Sequence, residues 1–184
     1  NAMFLLDLEN CDRGYSPTEF QRSQLPASYR DKISTIFDGI DTNVWKPIDQ
    51  PDRLIGGWTL PSDKKILTYV SRGMEAMRGF DIFMKIAKRL CDRRDDVLCV
   101  VVGEDRVAYG GDLRFTEGKT FKHWVLSKDD YDLNRILDLG RIPPDQLARH
   151  YPSSDLHIYL TAPYVLSGSH ANALACGATV MGSD

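Results

Sequence analysis

The sequence is poor in the features that mark a secreted, membrane-spanning or nucleic-acid-binding chain. Its four cysteines, Cys11, Cys91, Cys99 and Cys176, form no CxxC and no zinc-ligand spacing. Cys91, Cys99 and Cys176 sit in apolar runs and read as small core residues in a reducing compartment rather than a disulfide framework. No apolar run approaches the roughly 20 residues a membrane span needs. The opening also lacks the basic and long apolar regions of a signal peptide, which makes the cytoplasm the expected location. Excess positive charge is missing too: 23 Lys and Arg stand against 26 Asp and Glu, a net charge of -3. Such a chain is a poor general binder of nucleic acid or anionic membrane, so an anionic ligand has to be captured by local geometry. No GxGxxG follows the first predicted strand, which argues against a dinucleotide-dependent oxidoreductase. Internal repeats and low-complexity tracts are absent, and no Ser-His-Asp or Cys-His set can be argued from spacing.

What the chain does carry is a regular alternation of strand and helix patterns after residue 63. Ile66 to Val70 reads as a buried strand, and Phe80, Phe83, Met84, Ala87, Leu90 and Cys91 recur at helical spacing behind it. Val97 to Gly103 is apolar and β-branched throughout, as a strand covered on both faces should be. Residues 104–132 form a polar excursion with a helix expected near Thr120 to Leu126. Then come a strand at Ile136 to Leu139, a helix from Pro143 or Pro144 to Tyr151, and a strand at Leu156 to Leu160. A small-residue helix near Ser167 to Cys176 and a strand at Ala178 to Met181 complete the series. This order predicts an α/β fold, a Rossmann-like doubly wound parallel sheet.

The first part is less regular. Asn1-Ala2 before Met3 resembles an expression scar, and residues 3–31 read as irregular. Ser16, Pro17 and Glu19 suggest a helix with Ser16 as its N-cap, and Ile33 to Phe37 reads as a short strand. Three prolines and a Gly-Gly make residues 46–63 a linker, dividing a 1–45 segment from a 64–184 domain. The chain stops at Asp184 directly after a strand, where a covering helix is expected, so the C-terminus reads as truncated. Ile33 to Phe37 and the apolar Phe4 to Leu8 lack an evident partner within the 64–184 domain, and an unpaired edge strand predicts a homo-oligomer.

In an open parallel sheet, ligands bind beyond the carboxyl ends of the strands. Lys64 to Gly79, KKILTYVSRGMEAMRG, places Arg72 and Arg78 in the loop after the first strand, just ahead of a helix. Guanidinium forks match phosphate oxygens, and a helix N-terminus adds unpaired N–H groups with partial positive charge. The stretch from Thr161 leads into a second helix whose start, Ser167-Gly168-Ser169, faces the same crevice. Two arginines and that helix end can hold a diphosphate. The bland readings are surface arginines and an ordinary capped helix start. Asp130-Tyr131-Asp132 spells a DxD but lies in the acidic run KDDYD and reads as a solvated loop; Gly110-Gly111 reads as a turn. The four histidines form no ligand set, and only His170 falls near the crevice.

The ordered strings IFDGID, SRGMEAMRGFDIFMKIAKRL, VVVGED, LGRIPPDQLARHYPSSDLHIYL and NALACGATVMGSD resemble glycosyltransferase family 4 (group 1), retaining transferases of the GT-B type. The resemblance runs from about Asp31 to the end. It implies that residues 64–184 are the C-terminal, nucleotide-sugar-binding domain and 1–45 a remnant of the N-terminal acceptor domain. By that resemblance Arg72, Gly73 and Arg78 with Leu166, Ser167 and Gly168 bind the donor diphosphate. Arg141, Ile142 and Asn172 meet the base and ribose, and Tyr164 lies at the donor sugar. The implied partners are a nucleotide diphosphate sugar, a hydroxyl acceptor and the missing N-terminal domain; no cofactor or metal is expected. The family usually has carboxylates where this chain has Tyr164 and Asn172. That departure supports an alternative, a catalytically silent nucleotide-sugar-binding or scaffolding module.

Overall fold

The computed structural model describes residues 2–49, 51, 53–163 and 165–183. Tyr164, expected at the donor sugar, therefore lies outside the described residues.

Five strands form one parallel sheet: β5 (Lys65–Gly73), β6 (Val97–Glu104), β7 (Ile136–Asp138), β8 (Leu156–Tyr159) and β9 (Val180–Gly182). Their order across the sheet is β7-β6-β5-β8-β9, the doubly wound arrangement predicted from the alternation. The chain moves from β5 to β6 and β7 on one side, then returns to lay β8 and β9 on the other. The point of reversal, between β5 and β8, leaves a crevice at the strands' carboxyl ends.

Two-residue periodicity sends alternate side chains of each strand to opposite faces. On one face Leu67, Tyr69, Cys99, Val101 and Ile158 pack under α3 (Phe80–Cys91), whose buried Phe80, Phe83, Met84 and Ala87 repeat at helical spacing. The helix α4 (Phe121–Leu126) adds Phe121 and Val125 to the same layer. On the other face Ile66, Val70, Leu98, Val100 and Val102 meet α5 (Pro144–His150) through Ala148 and α6 (Gly168–Ala175) through Ala173. Cys91, Cys99 and Cys176 are buried free thiols, as their apolar surroundings implied, and Cys11 is a partly buried one.

The N-terminal segment is more ordered than its composition suggested. Its elements are α1 (Ala2–Asn10), β1 (Gly14–Ser16), α2 (Glu19–Ser23) and β2 (Ile33–Thr35). The apolar run in α1 turns only Leu8 inward, and Met3, Phe4, Leu5 and Leu6 stay exposed, so no amphipathic period announced the helix. The N-cap of α2 is Thr18, not Ser16, because Ser16 is used in the ladder with β2, paired with Thr35. Thr18 Oγ1 accepts from the Gln21 N–H at 3.1 Å, so the cap sits two residues further on.

Residues 46–63 hold a small hairpin, β3 (Leu54–Ile55) and β4 (Trp58–Thr59). Gly56 and Gly57 turn it with φ of 54° and 83°, the left-handed pair that a tight hairpin needs. Ile55 and Leu60 are buried against the second face of the sheet, so this Pro- and Gly-rich stretch contributes core as well as connection. No described helix is long and apolar enough to cross a membrane.

Candidate functional site

The chain leaving β5 and the chain leaving β8 are locked together at the point of reversal. After β5 comes a single 3-10 turn at Ala76–Arg78, then Gly79 at φ 67°, which opens α3. A Cβ at Gly79 would lie 2.5 Å from Leu160 Cβ and 2.7 Å from the Leu160 carbonyl oxygen. Only glycine fits there, on both conformational and steric grounds. Ala162 N–H donates to the Met77 carbonyl at 2.7 Å, a second tie between the two segments.

These ties position the arginines. Arg78 is buried; its Nη1 donates to Thr161 Oγ1 at 3.3 Å, and its Nε lies 3.8 Å from Glu75 Oε1. Tyr69 O–H donates to the Arg78 carbonyl at 3.1 Å from within the core, where burial pushes its phenol up from the ordinary tyrosine value. Arg72 is exposed and donates from Nη1 to the Tyr109 hydroxyl oxygen at 2.9 Å. Both guanidinium carbons face the Tyr109 ring, at 5.9 Å for Arg72 and 5.2 Å for Arg78.

Opposite them α6 begins at Ser167, whose extended backbone is that of an N-cap but whose side chain makes no capping bond. Its hydroxyl lies 2.9 Å from that of Ser169 instead, and the first turn contains no acidic residue. A helix start of this kind leaves its amide donors and dipole turned outward. Arg72, Arg78, Tyr109, the stretch 165–169 and Asn172 together enclose a cavity of about 440 Å³. No carboxylate stands among its described lining residues.

Arg72, Arg78, Leu166, Ser167, Gly168 and Asn172 are thus brought to one cavity. Gly73 is not among its walls: it is the last residue of β5, paired with Glu104, and a Cβ there would meet the Arg106 carbonyl oxygen. Arg141 and Ile142 line a separate recess of about 190 Å³ that shares Arg72 with the first. Arg141 is exposed and ion-paired with Glu104 at 3.2 Å. Asn172, expected beside those two, stands instead with the arginines. Asp130 and Asp132 are exposed, and no cluster of three or more His, Cys, Asp or Glu able to hold a metal occurs among the described residues. His170 packs its ring 4.6 Å from that of Tyr159.

Three residues of the assembly, Glu75, Asp112 and Tyr109, are not among the site residues that the sequence singles out. Glu75 is fully buried, and its Oε2 accepts from the N–H groups of Ala108, Tyr109 and Gly110 at 3.0, 2.9 and 2.8 Å. Asp112 answers from the other strand of the loop, its Oδ2 accepting from Ala76 N–H at 2.9 Å. Burial raises the Asp112 carboxyl above its ordinary value, while that bond opposes the rise. A carboxylate between two arginines in SRGMEAMRG was a visible signal for Glu75; Tyr109, inside the polar excursion, had none.

Residues 1–45 match the model of a family described as the glycosyl transferase family 4 group. The whole chain superposes on a sucrose-phosphate synthase from Thermosynechococcus elongatus with a TM-score of 0.74 at 19% identity, covering 98% of this chain. The fold is that of the GT-B glycosyltransferases. This chain spans 43% of that synthase's length. It also matches the C-terminal domain of a glycosyl transferase group 1 family protein (LpcC) from Francisella tularensis, with a TM-score of 0.57 and 19% identity over 78% of this chain and 70% of that one. A chain of the GtfA/B complex aligns over 100% of this chain and 33% of its own length, with a TM-score of 0.62 and 14% identity. No curated protein matches the sequence. The family match falls on the segment read as part of an acceptor domain, and the solved structures extend the likeness across the strand–helix units.

Proposed function

We propose that this chain supplies the nucleotide-sugar half of a retaining, cytoplasmic glycosyltransferase that passes a sugar from a nucleoside diphosphate to a hydroxyl acceptor. The acceptor half of the cleft would come from an N-terminal domain beyond the 1–45 segment. The observation that carries this reading is the convergence of Arg72, Arg78 and the start of α6 on one cavity without carboxylates. In such a transfer the bond between the anomeric carbon and the diphosphate oxygen breaks, and its electron pair goes to the diphosphate. The acceptor oxygen bonds to that carbon on the same face, and its proton passes to the departing phosphate. Cations and amide donors around the leaving group stabilise the charge it gains, the contribution that is usually largest. Two guanidinium groups do this without requiring a metal.

The test is thermal denaturation with inorganic pyrophosphate and with uridine, guanosine and adenosine diphosphates. A ligand at a hundredfold excess over its Kd adds about 2.7 kcal/mol to the folded state. For a chain of this size that raises Tm by roughly 5–10 °C. Arg72→Ala is the informative variant, because Arg72 is exposed and its loss leaves the fold intact. Arg78→Ala strands the buried Glu75 and confounds binding with folding. No shift with any of the four compounds, or an unchanged shift in Arg72→Ala, refutes the reading.

A second reading, a nucleotide-sugar-binding module without turnover, is favoured by Asn172 on the cavity wall in place of a carboxylate. Asn172→Glu together with Tyr164→Glu, assayed with the acceptor half supplied, should raise turnover strongly if catalysis has been lost.

A further inference from the structure

We propose that Tyr109 is a ligand of the donor diphosphate, giving its phenolic hydrogen to a phosphate oxygen. This rests on the donor-site reading above and adds a residue from the polar excursion to it.

A tyrosine hydroxyl carries one hydrogen and can accept through its lone pairs. Arg72 Nη1 lies 2.9 Å from the Tyr109 oxygen and can only donate, so the oxygen accepts and its own hydrogen must point elsewhere. The side chain lines the 440 Å³ cavity, whose charged groups are the donors Arg72 and Arg78, beside the open turn of α6 and the neutral side chains of Ser167, Ser169 and Asn172. None of the charged ones accepts that hydrogen. The cavity's charged groups all donate, so the wall is matched to a ligand rich in acceptors, which describes a diphosphate.

The ring is also held where this contact requires it. Loops in a polar excursion ordinarily wander, but this one is gripped from both ends. Glu75 accepts from three consecutive amides centred on Tyr109, and Asp112 binds back to Ala76. Glu75 belongs to the same turn as Arg78 and lies 3.8 Å from its Nε. The carboxylate that steadies Arg78 thus also fixes the backbone of Tyr109, with the ring facing both guanidinium groups. Cation–π contact alone would be served equally by phenylalanine. The hydroxyl supplies what phenylalanine lacks, an oxygen that accepts from Arg72 and a hydrogen free to meet a phosphate oxygen.

Tyr109→Phe isolates that hydroxyl. Tyr109 is half exposed, so the melting temperature without ligand should not change. Titration calorimetry with inorganic pyrophosphate and with the three nucleoside diphosphates should then show Kd raised about tenfold, the loss of one hydrogen bond to a charged partner. Binding equal to or tighter than that of the native chain overturns the proposal; tighter binding would mean that the phenol obstructs the site. If the native chain binds none of the four compounds, the donor-site reading itself falls, an outcome distinct from a Tyr109→Phe variant that matches a binding-competent native chain.

Discussion

Acidification should weaken this fold steeply between pH 6.5 and 4, and two buried histidines account for most of it. His150, at the end of α5, and His157, in β8, are 1% and 0% exposed. Burial holds each imidazole down at about pH 4, from an ordinary value of 6.5; at His157 the neighbouring His170 and His150 add to the effect. Among the described residues neither ring nitrogen of His150 meets a hydrogen-bond partner. His157 is better served: its Nδ1 lies 3.0 Å from Thr68 Oγ1, which is itself 2.8 Å from Ser154 Oγ.

Above pH 6.5 both rings are neutral whether the chain is folded or not, and they cost nothing differential. Below that value the unfolded chain takes up two protons that the native chain refuses, so stability falls as pH falls. The loss is complete once pH passes below about 4. One proton is worth about 1.4 kcal/mol per pH unit. Going from pH 7 to pH 5 therefore costs about 2 kcal/mol per histidine, about 4 kcal/mol for the pair. Against a total of about 5–15 kcal/mol that is a large fraction. Urea unfolding at pH 7, 6 and 5 measures it. His150→Leu removes one titrating ring and an unpartnered buried polar group together. Its stability at pH 7 should equal or exceed that of the native chain, and its drop to pH 5 should be about 2 kcal/mol rather than 4. Carboxylates titrate alike in both proteins and cancel in the difference. An undiminished drop in His150→Leu would show that this ring is not the buried neutral base its surroundings imply.

Gly79→Ala places a methyl group against Leu160 at a positive φ, so it should destabilise the fold by about 1–3 kcal/mol. Because the same contact sets Arg78 opposite α6, the variant should also bind pyrophosphate more weakly at temperatures where it remains folded; unchanged affinity would separate the loop contact from the site. Ile55→Ala should cost about 2–5 kcal/mol in urea unfolding, since Ile55 is 1% exposed within the core. A cost under about 0.5 kcal/mol would mean that residues 46–63 act purely as a connection.

The parallel sheet was legible because its strands are covered on both faces. Such strands write themselves as unbroken apolar runs, and Val97 to Gly103 allows no other reading. The helix after Phe80 was legible for the converse reason, one apolar face repeated over three turns. α1 was hidden because its apolar residues mostly face outward, and the hairpin at residues 54–59 because elements of two residues have no period to detect. The α2 cap was misplaced by two residues for want of long-range information: Ser16 is a good N-cap by type, but its backbone is taken by a strand 17 residues later, starting at Ile33.

The site divides along the same line. Arg72, Arg78 and the Ser-Gly start of α6 could be assembled from sequence because parallel topology carries the ends of β5 and β8 to one place, whatever their side chains. Tyr109 could not, because its position depends on a loop folding back by way of one buried carboxylate, 33 to 35 residues away from the amides it binds. Glu75 has a physical consequence beyond that placement. A lone carboxylate beside two arginines would ordinarily reduce their pull on an anion. Here Oε2 is spent on three amide donors, while only Oε1 is directed toward Arg78, at 3.8 Å. The negative charge is thereby spread into the loop backbone, and Arg72, which makes no ion pair among the described residues and shares the cavity with no described carboxylate, keeps its charge for the ligand. The two arginines are accordingly unequal: Arg78 is structural as well as electrostatic, and Arg72 should respond to added salt more strongly, being the exposed one.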